Sequence, residues 1–265
     1  MNAMPVADRE RAQRREDMLR ELNLYPLWQL RKTTGNVIAA EPEIAISASE
    51  TGAVPRAELV PAADKPQQDI ASMSWAELKK RVHDCTACNL RAGCMQTVFG
   101  SGDKHADWLF VGSWPTEDDE TAGAPFAGQA GHLLDNMLAA IKLKRDEKVY
   151  LANVVKCSGS IKRGPQPEEI AHCSPYLARQ IQLLQPKIIV ALGHAAATAL
   201  LGEDREWVSL LGKVHDFRGL ANDEFATAIP LVVTHHPAAL LLTPMSKAQA
   251  WRDLCLARDT MRKLE

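Results

Sequence analysis

The chain has 265 residues, 46% of them hydrophobic and 24% charged, with a net charge of −2, an ordinary globular balance with room for one good-sized core. No apolar run approaches the roughly 18 residues of a membrane span, and the charged start MNAMPVADRERAQRRED lacks the apolar stretch of a secretory signal, so a cytoplasmic protein off the membrane is expected. The missing basic surplus argues against a strong, non-specific hold on nucleic-acid phosphates.

Residues 1–34 are charged and helix-prone, and Leu19, Leu22, Leu24, Leu27, Trp28 and Leu30 form an apolar set beside Arg20, Arg31 and Lys32. Leu19 and Leu22 have helical spacing, and Pro26 ends that helix near Tyr25. Residues 35–74 contain no aromatic residue, carry Pro42, Pro55, Pro61 and Pro66, and hold more acids than bases. Such a stretch buries too little apolar surface to offset its ordering entropy and reads as a linker, with one short β-like patch at Glu43–Ile46.

A globular pattern starts at Ser74, which looks like an N-cap with Glu77 at the capping-box position, opening a helix through Val82. Trp108–Val111 reads as a buried strand followed by a loop rich in glycine and proline. Gly131–Leu143 is helical, with Leu133, Leu134, Met137, Leu138 and Ile141 on one face. Strands at Val149–Val155, Lys187–Leu192 and Leu231–Thr234 then alternate with helices at Pro167–Leu184, His194–Leu201 and Lys247–Leu264. Residues 75–265 are therefore expected to form one α/β domain, a three-layer α/β/α sandwich with a mainly parallel central sheet. Chemistry in such sheets gathers at the carboxyl ends of the strands, here the Gly112–Gly128 loop, the Asn153–Arg163 segment and His235-His236-Pro237.

Cys85 and Cys88 form a C-x2-C pair after the first helix of the domain, and Cys157 and Cys173 follow with fifteen residues between them. Thiolates are soft ligands suited to iron–sulfur clusters or zinc, and free cytosolic thiols are the plain alternative. Cys94 is placed to replace one ligand, whereas Cys255 on the final helix reads as a core residue.

Taken in order, Cys85-Thr86-Ala87-Cys88-Asn89-Leu90, Gly123-Ala124-Pro125-Phe126-Ala127-Gly128-Gln129-Ala130-Gly131, Asn153-Val154-Val155-Lys156-Cys157 and His236-Pro237-Ala238 resemble the family 4 uracil-DNA glycosylases. The resemblance covers about residues 80–262 and implies a uracil-DNA glycosylase-like fold. It also implies a 4Fe-4S cluster on Cys85, Cys88, Cys157 and Cys173 rather than zinc. By the same likeness a flipped base would stack on Phe126 and be read by Asn153, and His236 would stabilise the departing uracil anion. The plain readings of these three are a core aromatic, a strand-end cap and a satisfied loop histidine.

Departures from the family pattern point away from catalysis. Its first motif, Gly-Glu-[Gly/Ala]-Pro-Gly, is here Gly112-Ser113-Trp114-Pro115-Thr116. Ser113 removes a carboxylate, Trp114 puts an indole where the backbone should pass close to the base, and Thr116 replaces a close-approach glycine. Asp119 keeps an acid in the acidic stretch, shorter than the family's. Leu242 stands where an arginine is expected to clamp phosphate. A degenerate pocket with weak or no activity is expected, so none of Ser113, Trp114, Asp119, Phe126, Asn153 and His236 is expected to be catalytic.

Residues Leu19–Arg31, with Glu43–Ile46, resemble the N-terminal segment of the psi subunit of bacterial DNA polymerase III. That likeness implies a replisome adaptor without activity. Leu19, Leu22, Leu24, Leu27, Trp28, Leu30 and Arg31 would dock on the tau/gamma subunit of the clamp loader. The globular domain would bind the chi subunit and, through chi, single-strand-binding protein, with weak or absent direct DNA binding. The alternative is a divergent family 4 glycosylase that excises uracil from DNA.

Overall fold

The computed structural model describes residues 67–158, 163–202, 205–220 and 223–264. The sheet is built around β2 (Trp108–Gly112), β3 (Val149–Asn153) and β4 (Ile188–Leu192), each buried at every position. Strands covered on both faces need apolar residues without alternation, which is why these runs stand out in the sequence. β2 pairs in parallel with β3 on one side and β4 on the other, and β4 pairs in parallel with β6 (Asp223–Thr234). Antiparallel strands close both edges, β1 (Ser101–Gly102) on β3 and β5 (Val214–Leu220) on β6, giving the order β1-β3-β2-β4-β6-β5.

Alternate side chains divide between two cores. Leu109, Val111, Ala152, Ile189, Ala191 and Val233 join the core that holds Leu78 and Val82 of α1 (Trp75–His83), Leu177 and Ile181 of α4 (Pro167–Leu184) and Ala197 of α5 (His194–Leu201). Phe110, Leu151, Val190 and Val232 join the core that holds Leu134 and Leu138 of α3 (Gln129–Ala140), Leu240 of α7 (Pro237–Leu242) and Leu254 of α8 (Lys247–Arg262). Two helical layers flanking one mostly parallel sheet make the expected three-layer α/β/α sandwich. The short helices α2 (Glu117–Ala122) and α6 (Trp207–Leu210) lie in the loops that leave β2 and α5.

Local chemistry sets the helix ends. Ser74 opens α1 with the expected capping box, its N–H donating to Glu77 Oε2 at 2.8 Å. α4 begins with Pro167 at its first position, after Gln166, whose N–H donates to Glu169 Oε2 at 2.7 Å. Pro175 inside α4 offers no N–H to the carbonyl of Ala171, and the Ser174 hydroxyl donates to that carbonyl instead, at 3.2 Å.

Several boundaries differ from the sequence reading. β3 stops at Asn153, after which the N–H groups of Val154 and Val155 donate to the carbonyls of Gly112 and Ser113. α3 ends at Ala140, closed by Ile141 and by Lys142 at φ 64°. The described end of the linker, Gln67–Ser72, forms a 3-10 helix with Ile70 buried, and the carbonyl of Met73 accepts from Arg179 Nε at 2.8 Å. β5 and the first part of β6 have no sequence counterpart, since the buried Phe217 and Leu220 of the edge strand β5 (VHDFRGL) are set among polar and exposed positions that break any apolar run.

Candidate active site and cysteine cavity

The carboxyl ends of β2, β3 and β6 deliver the pocket residues. Gly112 ends β2 in register with Asn153, the last residue of β3. A Cβ on Gly112 would run into Asn153 Oδ1 and lie 2.6 Å from Phe126 Cζ, so this glycine lets the amide and the ring meet over the strand end. Asn153 is 2% exposed, and neither its Oδ1 nor its Nδ2 has a hydrogen-bond partner. An unsatisfied buried polar group costs on the order of 1–3 kcal/mol, which a fold retains where a ligand completes the bonds. One acceptor beside one donor complements a ring edge that offers an N–H next to a carbonyl.

Phe126 is buried, at φ 57°, and its ring centroid is 5.7 Å from that of His236. His236 caps α7, its Nδ1 accepting from the N–H of Ala238 at 3.2 Å, with Pro237 in the first helical position. That bond places the proton of the neutral imidazole on Nε2. Burial holds the His236 pKa below the ordinary imidazole value, while the charge of Asp119 acts in the opposite direction. Asp119 is buried and serves the backbone with both oxygens. Oδ2 accepts from the N–H of Thr116 at 2.9 Å and Oδ1 from that of Ala127 at 2.7 Å.

Ser113 is buried, and its carbonyl accepts from Val155 N–H at 3.1 Å. Trp114 is 37% exposed, and its indole lies toward Gly164, where an added Cβ would sit 3.6 Å from Cη2. The space over Gly112 is bounded by Asn153 and Phe126. Trp114, expected from sequence to crowd the close backbone approach, therefore directs its ring to the segment after Arg163.

The four cysteines of the expected metal site meet around one cavity, together with Val82, Leu90, Val155 and Tyr176. Cys157 and Cys173 are buried, and Cys85 and Cys88 are half-buried. Two groups donate to the sulfurs at 3.3 Å: the Tyr176 hydroxyl to Cys85 Sγ and the Lys156 N–H to Cys173 Sγ. Burial pushes the Cys88 thiol up and that of Cys173 up to about 12. The Cys157 thiol is raised first by its hydrogen bond with Cys94 and then by burial. Cys94 thus lies beside Cys157 but outside the cavity lining. Among the described residues, no three His, Cys, Asp or Glu side chains gather as ligands of one metal ion. A cluster gives each thiolate its own iron, so four cysteines spread around a cavity fit that donor geometry.

Sequence reasoning missed the residues that tie cavity to pocket. Glu120, next to Asp119 on α2, accepts from Met95 N–H at 2.9 Å, Ser158 N–H at 2.9 Å and the Ser158 hydroxyl at 2.6 Å. Burial alone would raise its pKa, but the Ser158 hydroxyl and the other donors hold it below the usual carboxylate value. Lys156 is 1% exposed and donates from Nζ to the Asn153 carbonyl and to Gln180 Oε1, both at 2.7 Å. Burial brings its pKa down to about 8, with Cys173 opposing the shift. A lysine within the apolar run Val154-Val155-Lys156-Cys157 was the available signal, since buried lysines are rare unless partnered. The expected partner-binding set Leu19, Leu22, Leu24, Leu27, Trp28, Leu30 and Arg31 lies outside the described residues.

A family model of the uracil DNA glycosylase superfamily matches residues 99–256, more than half of the chain. The type-4 uracil-DNA glycosylase of Archaeoglobus fulgidus is 34% identical over 180 residues, 66% of this chain and 87% of that protein. That of Sulfurisphaera tokodaii is 36% identical over 171 residues, 64% of this chain and 77% of its own. That of Pyrobaculum aerophilum is 33% identical over 190 residues, 69% and 93% of the two chains. These matches correct two expectations. The psi-like reading rested on about 30 N-terminal residues, whereas the glycosylase likeness runs through most of the chain. The expectation of a non-catalytic replisome subunit falls with it.

Proposed function

The chain belongs to the type-4 uracil-DNA glycosylases, and from that premise we propose that it excises uracil from DNA by hydrolysing the bond between N1 of the base and C1′ of the sugar. The observation that carries the proposal is the buried, unpartnered amide of Asn153 beside the Phe126 ring. A uracil flipped out of the strand stacks on Phe126. Asn153 Oδ1 then accepts from the base N3–H, and Nδ2 donates to O4. Cytosine presents an acceptor at N3 and a donor at N4, so it matches this orientation of the amide at neither position and would pair only with the amide turned over.

As the glycosidic bond breaks, its electrons move onto the base and charge gathers at O2. The neutral His236 donates from Nε2 to that oxygen; its lowered pKa keeps the ring neutral, and the Ala238 N–H on Nδ1 keeps the proton on Nε2. The negative charge of Asp119, felt at His236, favours cationic character at the sugar. Water completes the reaction at C1′, leaving an abasic site and free uracil. With full-length protein on uracil-containing single-stranded DNA, Asn153→Ala and His236→Ala should each lower kcat by about a hundredfold or more. Excision that persists in both variants contradicts the assignment.

Cys85, Cys88, Cys157 and Cys173 are proposed to hold a 4Fe-4S cluster, as the family resemblance implies and as four cysteines around one cavity support. The cluster supplies no step of this hydrolysis; when bound, it links the segment after α1 to α4. Anaerobically purified protein should contain iron and sulfide in equal amounts and absorb broadly near about 400 nm. Colourless protein with stoichiometric zinc would assign the same ligands to a different metal.

A further inference from the structure

Phe126 can serve as the base platform only while its backbone holds φ 57°, a left-handed conformation that a large L-residue adopts at a cost. Its peptide to Ala127 is gripped at both ends. The Phe126 carbonyl accepts from Arg145 Nη2 at 2.8 Å, and the Ala127 N–H donates to Asp119 Oδ1 at 2.7 Å. The same guanidinium donates to the carbonyls of Gly131 at 3.2 Å and Pro125 at 3.3 Å, and its Nε donates to Asp135. A Cβ on Gly131 would run into the Phe126 carbonyl, so the first turn of α3 comes up flush against this peptide. Arg145 comes from the turn after α3, and its side chain is 26% exposed.

We propose that Arg145 is a positioning residue for base excision: its guanidinium locks the Phe126 peptide in the left-handed form and so fixes the ring on which the base stacks. This rests on the glycosylase reading, because the ring's pose matters only if a base lies on it. The residue touches three carbonyls and a carboxylate, never the base. A planar fork of five donors can hold these acceptors together, while the single ammonium of lysine cannot reproduce their directions. The effect therefore belongs to the chemical step and to binding of the free base, not to the rest of the DNA contact.

The test compares the full-length wild type with Arg145→Met and Arg145→Lys, with Lys144→Met as a neighbouring loss of charge. The five phenylalanines are labelled with fluorine and Phe126 is assigned through Phe126→Leu. Arg145→Met should lower kcat on uracil-containing single strands by about tenfold or more, while KM moves by less than about twofold. Inhibition by free uracil should weaken in parallel, and the Phe126 resonance should shift or broaden. Arg145→Lys should recover only part of each change, and Lys144→Met should match the wild type. Unchanged kcat, uracil inhibition and Phe126 resonance in Arg145→Met overturn the proposal, and so does a fall in melting temperature with nothing else altered. A wild type that releases no uracil refutes the glycosylase reading instead. The Phe126 resonance still decides, in that case, whether Arg145 sets the ring.

Discussion

In the proposed mechanism His236 works as a neutral donor, and burial favours that state. Burial places its folded pKa below the unfolded imidazole value of about 6.5. The native protein therefore binds fewer protons at this site than the unfolded chain as pH falls below that value, and His236 then withdraws stability. Activity follows the folded pKa. Protonation would put a hydrogen on Nδ1 and break the bond from the Ala238 N–H that positions the ring, so kcat should be flat across neutral pH and fall as pH drops through a value below that of a free imidazole. A pH profile with its acid limb above about 6.5 would show that burial does not protect the neutral form. The sequence made Phe126, Asn153 and His236 legible because each sits in a short motif at a strand end. It could not show where Trp114 points, since side-chain direction in a loop depends on packing; here the indole lies toward Gly164. Arg145 was silent for a related reason, because its partners are backbone carbonyls that no motif records.

Among the elements, α2 has the most consequence for its length. Its six residues carry four acids near the N-terminus, where the helix dipole favours them. Asp119 holds the loop of Phe126, and Glu120 holds the segments after Cys94 and Cys157. Glu120→Gln keeps the shape but surrenders a charged acceptor shared by three donors. It should cost on the order of 1–3 kcal/mol of stability, measured by denaturant unfolding of holo-protein. An unchanged midpoint would mean that water satisfies those donors equally well. The acidic run was visible in the sequence, but the split of duties between neighbouring carboxylates was not. The buried strands were legible from their continuous apolar runs. β5 was not, because an edge strand needs no such run and, among the described residues, it pairs with β6 alone.

For the whole molecule, a parallel sheet brings the ends of β2, β3 and β6 to one edge, and two adjoining structures share that edge. The base pocket lies over Gly112 and Asn153, and the cysteine cavity lies beyond Lys156. Lys156 links them, donating its N–H to Cys173 and its Nζ to the Asn153 carbonyl. This layer order was legible in the alternation of strands and helices, and the four-cysteine set in its spacing. The activity was harder to read, because three changed residues in one loop suggested a damaged pocket and the N-terminal likeness suggested another employment. Likeness across most of the chain outweighs both. The most direct test is release of free base by full-length, cluster-loaded protein from matched single strands that contain uracil, cytosine or thymine at one position. Free uracil and an alkali-sensitive site should appear from the uracil strand alone, and both should vanish in Asn153→Ala. Loaded, folded protein that releases no base from any strand would contradict the assignment.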